Sequence, residues 1–214
     1  LAIDRSLLSA NSATSATSPV GGGLVNVAGT ATIVNTTFDG NIANGPASRG
    51  GGIAAAGDVT ITYATFADNA AVHGGGIEHV FGTLSLRSSV LHNATNDCEG
   101  NFAGTSGGFN VAHDATCQLT AFRDLPSVDP LLAVLGPNSG TTHNRLLSTG
   151  SPARARVYSA TPGLCDGTIP TDQRGFARPF PGTCDAGATQ GTQPPMAPIS
   201  LTVDSAGDAQ MSWL

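Results

Sequence analysis

The side chains equipped for chemistry gather around a few short phrases. Asp68 lies in Phe66-Ala67-Asp68-Asn69 and His92 in Val90-Leu91-His92-Asn93, while His73, Glu78 and His79 flank Gly74-Gly75-Gly76. Counted back from each asparagine, Asp68 falls directly below His92, with Asp39 one position off and one unit away. A carboxylate and an imidazole so placed could form an ion pair, touch a sugar or contact a metal. Catalysis asks for more. Glycoside hydrolysis needs two carboxylates facing each other across a cleft. Metal-assisted β-elimination needs a cluster of acidic ligands and a base for the α-proton. The acids of this stretch, Asp39, Asp58, Asp68, Glu78 and Asp97, are scattered over different positions. No Ser-His-Asp phrase, His-Glu-x-x-His or EF-hand loop is present. His113 near Cys117 lacks the two local pairs of a zinc site. The binding candidates are therefore Asp68, His73, Glu78, His79 and His92, with no catalytic or metal-ligating residue assigned.

What must position these residues is a repeat. Gly74-Gly75-Gly76-Ile77 is preceded by Gly50-Gly51-Gly52-Ile53 and Gly21-Gly22-Gly23-Leu24. Each follows an apolar residue, two small or polar ones and an asparagine: Leu8 to Asn11, Phe38 to Asn41, Phe66 to Asn69, then a worn copy at Val90 to Asn93. The asparagines step by 30, 28 and 24 residues, a spacing that marks solenoids. The segments before them, Ala31 to Phe38 and Val59 to Phe66, are rich in β-branched residues and free of proline, so they read as strands. Ile3, Ile33 and Ile61 stand five residues before Leu8, Phe38 and Phe66, which stacks like on like. In the fourth copy Leu86 is only four before Val90, which predicts a local slip. Stacking at about 4.8 Å gives an aromatic ladder through Phe38 and Phe66 and an asparagine ladder through Asn11, Asn41, Asn69 and Asn93. The asparagines are read as turn residues tolerant of a left-handed backbone. The glycine triplets are read as close-approach points; phosphate binding would need a helix behind them.

Composition agrees with a thin stack. With 28 Gly, 5% aromatic and 11% charged residues, the chain has few large side chains for a thick core, and coils that bury β-branched residues against one another need few. The nine basic residues are all arginine and the net charge is −6, which excludes an electrostatic nucleic-acid binder. No apolar run approaches the roughly 18 residues of a membrane span. Four cysteines form two local pairs, Cys98 with Cys117 and Cys165 with Cys184, each 19 residues apart and neither with metal spacing. They read as two disulfides in an oxidising compartment. The repeat is already under way at Ile3, so a longer protein is expected.

After Cys117 the repeat dissolves into Asp129-Pro130-Leu131-Leu132, Leu146-Leu147 and Gly150-Ser151-Pro152. A solenoid end exposes strand edges and core, so residues 119–190 are expected to close it, fastened by the second cysteine pair. From Gln193 a proline linker leads to Ile199 to Val203 and Ala209 to Trp213, which resemble the first strands of a fibronectin type III-like sandwich.

The phrase Thr36 to Ile53 resembles the glycine-rich coils of right-handed parallel β-helices of the pectate-lyase-like superfamily. The tail phrases Asn96-Asp97-Cys98-Glu99-Gly100, Ser127 to Ala153, Thr171 to Pro179 and Cys184 to Gln190 together resemble the choice-of-anchor Q domain of bacterial surface proteins. Two departures stand out: Arg154 to Val157 where an acidic turn is usual, and Ala186 to Gln190 where an aromatic and a glutamate are usual. The resemblance implies a secreted or cell-surface location and supplies no catalytic residue.

The expectation is an all-β chain: parallel β-helix coils over 1–118, C-terminal coils and cap over 119–192, then a linker and the start of a sandwich-like segment over 193–214. Its expected role is a non-enzymatic structural or adhesive rod inside a larger secreted or cell-surface bacterial protein. Glycan, extracellular matrix or another copy of itself are the expected partners, with no nucleic acid and no membrane span. No cofactor is indicated, and calcium between turns is left open. The alternative is a polysaccharide-active β-helix lyase or hydrolase with active coils partly upstream.

Overall fold

The computed structural model describes residues 1–179 and 181–191, and the backbone of 199–203 and 209–213. The chain is all β and forms a parallel solenoid. The first coil carries β1 (Ala2–Asp4), β2 (Leu7–Ser9), β3 (Ser12–Thr14) and β4 (Leu24–Asn26). The second carries β5 (Thr30–Val34), β6 (Thr37–Asp39), β7 (Ile42–Asn44) and β8 (Ile53–Ala55). The third has β9 (Asp58–Thr62), β10 (Thr65–Ala67) and β11 (Ile77–His79); the fourth has β12 (Leu84–Arg87), β13 (Val90–His92) and β14 (Cys98–Gly100). β15 (Val111–Ala112) follows. Three parallel sheets run along the stack, ordered β1-β5-β9-β12, β15-β13-β10-β6-β2 and β14-β11-β8-β4, with β3 and β7 as a short fourth pair.

One apolar ladder lines the inside of each main sheet. Ile3, Ile33, Ile61 and Leu86 are in register on the first sheet, Leu8, Phe38, Phe66 and Leu91 on the second, Leu24, Ile53, Ile77 and Cys98 on the third. The alternation of strand side chains puts these residues together, and each fully buried Ile, Leu or Phe among them contributes about 1.5–3 kcal/mol. The Phe38 and Phe66 rings lie 4.8 Å apart and 5° from parallel. The partner of Phe66 in the fourth coil is Leu91, not Val90. The five-residue spacing from Leu86 is thus kept, and the missing residue falls after the strand, where the third coil has Asp68.

The corners explain the glycines. Gly21, Gly50 and Gly74 have φ of +65°, +60° and +62°. The middle glycines permit close stacking: a Cβ on Gly51 would press on the Gly75 carbonyl oxygen and lie 2.6 Å from the Ala70 nitrogen. Triplet bonds to triplet, with Gly51 N donating to Gly74 O at 3.0 Å and Gly52 N to Gly75 O at 2.9 Å. The ladder asparagines are not left-handed. The residues before the first three are, with φ of +52° at Ala10, +62° at Gly40 and +54° at Asp68, whereas His92 before Asn93 is not.

The Cys98–Cys117 disulfide closes the fourth coil against the core. A further partial rung is laid on by Phe109 N donating to Phe122 O and Ala112 N to Leu125 O, at 3.0 and 2.9 Å. Much of 130–191 then runs back along the side of the stack. Leu147, Ala153 and Ala186 pack on Val90 and Val111; Val157, Leu164 and the Cys165–Cys184 disulfide pack with Tyr63 and Phe109. Beyond it, β16 (Ile199–Val203) and β17 (Ala209–Trp213) form an antiparallel pair, while the linker expected from Gln193 and residues 204–208 lie outside the described residues.

Candidate functional site

On the outer side of the third sheet, Val25, Ala54, Glu78 and Glu99 form one column, and Val20, Arg49 and His73 form the next. Acid and base meet diagonally between successive coils. Arg49 Nη1 pairs with Glu78 Oε1, and His73 Nδ1 lies 2.7 Å from Glu99 Oε1. Glu78 is buried beneath this contact. Burial pushes the Glu99 carboxyl up, but hydrogen bonds from His73 and Asn96 outweigh it and hold it below its ordinary value. Beside the Arg49–Glu78 pair is a groove of about 110 Å³ lined by Val20, Val25, Val27, Ala55 and Val80. His79 points the other way. It is buried, its Nδ1 donates to Asn101 O at 2.8 Å, and its ring meets Phe102 edge-on with centroids 6.1 Å apart.

The second sheet carries the other candidates. Its register sets Asp39, Ala67 and His92 in one column, with His113 following. His92 therefore stands over Ala67, while Asp68 occupies the extra left-handed position of the third coil. The two were expected to stack directly; the one-residue deletion after β13 is what separates them. Asp68 instead shares Arg145 with Asp39: the guanidinium bonds Asp39 Oδ2 through Nε and Asp68 Oδ2 through Nη2. Burial opposes the charge on Arg145, but the two carboxylates prevail and raise its pKa. His92 stacks on His113 at 4.5 Å between centroids and lies 3.9 Å from Asp129 Oδ1.

Inside the corner between these sheets runs a chain of amides. Asn11 Nδ2 donates to Asn41 Oδ1, Asn41 Nδ2 to Asn69 Oδ1 and Asn69 Nδ2 to Asn93 Oδ1, each at 2.8 Å. Each receiving oxygen also accepts the backbone N–H of the donor residue, at 3.2, 3.0 and 3.3 Å. Asn41 and Asn69 donate a second time, to Leu8 O at 2.9 Å and Phe38 O at 3.0 Å. The ladder ends on buried Asp97, whose Oδ1 accepts Asn93 N and Nδ2 at 2.9 and 2.8 Å. Asp97 and Asp114 also exchange backbone-to-carboxylate bonds, at 2.9 and 3.2 Å.

Burial pushes the Asp97 carboxyl above its ordinary value of 3.8, and the Asp114 charge adds to this against the Asn93 bonds. A folded chain that keeps its proton to higher pH than the unfolded chain is most stabilised below the ordinary value, and the contribution is lost as pH rises through the folded pKa. The stability difference between wild type and Asp97→Asn should thus turn against wild type as pH rises from below 3.8 through the raised carboxyl pKa. Denaturant titrations across that range measure it; a flat or opposite trend would count against this burial argument.

The five binding candidates are therefore divided. His73 and Glu78 share the third-sheet face, Asp68 and His92 the second, and His79 lies inside. Sequence reading missed Arg49, Arg145, His113 and Asp129 as their partners. That all nine basic residues are arginine was a usable signal, because the planar fork suits fixed carboxylate pairs. Among the described residues, no three His, Cys, Asp or Glu side chains are placed to hold a metal, and no helix is long and apolar enough to cross a membrane. No protein-family model, curated protein or solved structure matches this chain.

Proposed function

We propose that the chain is a non-enzymatic extracellular scaffold, a rigid β-solenoid that holds its side faces in register for contact with glycan, matrix or another copy. One observation carries this reading. Every carboxylate among the described residues accepts a hydrogen bond or ion pair from the chain itself. Carboxylates committed to turns, ladders and arginines serve to hold the stack, whereas a hydrolase keeps two of them facing a cleft. The side strap adds rigidity, since Arg145 ties two successive coils together. The paired cysteines favour a secreted or cell-surface setting, and the tail phrases favour kinship with pectate-lyase-like β-helices that end in a choice-of-anchor Q domain.

The test is turnover. Intact protein would be incubated with a broad panel of acidic and neutral polysaccharides, with and without calcium, while ultraviolet absorbance of unsaturated products and reducing ends are followed. No product above the blank is expected. Product formation proportional to protein concentration would overturn the scaffold reading and establish a lyase or hydrolase.

A further inference from the structure

Where the last partial rung meets the side strap, aromatic rings and arginines share one exposed patch. Phe122 is 67% exposed and Tyr158 46%. Their ring centroids are 6.2 Å apart, and Phe122 is braced from below by Phe109 in an edge-to-face contact at 5.7 Å. The Arg123 guanidinium lies 4.3 Å over the Tyr158 ring, and its Nη1 bonds the Tyr158 hydroxyl. Arg156 donates from Nε and Nη2 to the Arg123 carbonyl, at 2.8 and 2.5 Å.

The backbone beneath is fixed. Asp124 Oδ2 accepts Ala121 N at 2.8 Å, and Phe122 O accepts Phe109 N at 3.0 Å. Val157, between Arg156 and Tyr158, exchanges both backbone bonds with Cys184 at 2.9 Å, and that residue is disulfide-bonded to Cys165. The rings are therefore pre-set, which lowers the ordering cost of binding.

The charges here are unbalanced in a chain of net charge −6. Arg49, Arg145 and Arg174 are matched to carboxylates, whereas Arg123 and Arg156 form no ion pair among the described residues. The nearby Asp124 spends its oxygens on Ser106, Asn110 and Ala121. Burial, and then the neighbouring Arg123 charge, push the Arg156 pKa down. The Asp124 carboxylate opposes this shift from a distance, and two guanidiniums held side by side with no carboxylate bonded to either among the described residues fit an external anion.

We propose that Phe122, Arg123, Arg156 and Tyr158 form a binding site for a sulfated polysaccharide. The exposed Phe122 ring offers a flat apolar face to a pyranose ring, Tyr158 holds Arg123 in place, and the two guanidiniums share one ester. A sulfate ester suits two donors better than a carboxylate, because its three terminal oxygens can accept from both forks while the two oxygens of a carboxylate are filled by one. This site deepens the scaffold reading and names the partner of one face.

Affinity electrophoresis of the intact protein in gels containing dextran sulfate, unsulfated dextran or polygalacturonate tests it. The net negative charge works against unspecific capture by polyanions. Dextran sulfate is expected to retard the protein, unsulfated dextran not at all, and polygalacturonate at least tenfold less. Phe122→Ser and Arg123→Gln should each weaken retardation at least tenfold with an unchanged unfolding midpoint. Phe81→Ser, at another exposed ring, should leave it unaltered. No retardation, equal retardation by polygalacturonate or dextran, or retardation indifferent to both patch variants would overturn the site. Turnover would sink the scaffold reading instead, so the two failures are separable.

Discussion

Asn69→Ala is expected to remove about 3–6 kcal/mol of unfolding free energy, read from the denaturant midpoint, while Asn11→Ala at the exposed end of the same ladder costs about 1 kcal/mol. Asn69 is fully buried. Its amide oxygen accepts Asn41 N and Nδ2, and its Nδ2 donates to Asn93 Oδ1 and Phe38 O. Alanine strands two donors, Asn41 N and one Nδ2 hydrogen, and takes the side-chain donor from Phe38 O, while Asn93 Oδ1 keeps the residue-69 N–H; each buried orphan costs about 1–3 kcal/mol. Asn11 is exposed, so water takes up much of its loss. Asn69→Asp should fare no better at neutral pH, because both donations become oxygen–oxygen contacts. The ratio between the two alanine variants decides the matter. Equal losses would mean that the amides stabilise only as local turn residues. With domain stabilities commonly about 5–15 kcal/mol, the larger figure would threaten folding at ordinary temperature.

The second large effect lies in the strap. Arg178 is buried with its guanidinium 3.7 Å over the Tyr63 ring, and no carboxylate pairs with it among the described residues. It donates from Nη2 to Asn35 Oδ1 at 2.9 Å and Gly187 O at 3.0 Å, and from Nη1 to Asp185 O at 3.2 Å. Burial holds its pKa below the ordinary value, the mark of a cation kept by hydrogen bonds at a desolvation cost. Arg178→Ala should cost about 3–5 kcal/mol, because it leaves a cavity and several unpaired oxygens. Arg178→Met fills much of the cavity without the charge and should cost clearly less. Hydrogen exchange distinguishes a latch from a general support. In Arg178→Ala, amides of 171–191 are expected to exchange faster while the coil interior around Ile33, Ile61 and Leu86 keeps its protection. Uniform loosening of both would show that the strap has no separable docking step.

Gln173 acts beside it. Its Oε1 accepts Thr37 Oγ1 at 2.5 Å, and its Nε2 donates to Ser6 O at 3.0 Å. Asp172 builds the loop that presents both residues, accepting Arg174 N at 2.8 Å and Phe176 N at 3.0 Å. The phrase Thr171 to Pro179 therefore docks the strap onto the first three coils, through Ser6, Thr37 and Tyr63. Its charged residues Asp172, Arg174 and Arg178 all bond within the protein.

What the sequence determined was everything that recurs. Parallel coils repeat the same inward positions, so Ile over Ile, Phe over Phe and asparagine over asparagine could be read from spacing alone, and so could two cysteine pairs only 19 residues apart. Even the slip in the fourth coil was visible, though its place was not: Leu91 keeps the core register because burying a side chain there outweighs keeping Asn93 in step with Val90. Only the tertiary structure could set Asp68 beside Arg145, Arg178 over Tyr63 and Phe122 beside Tyr158. These contacts join residues 77, 115 and 36 apart with no period behind them. A repeat encodes its own neighbours, whereas a strap laid on its side is placed by shape, hydrogen bonding and charge at single residues, which a linear pattern does not record.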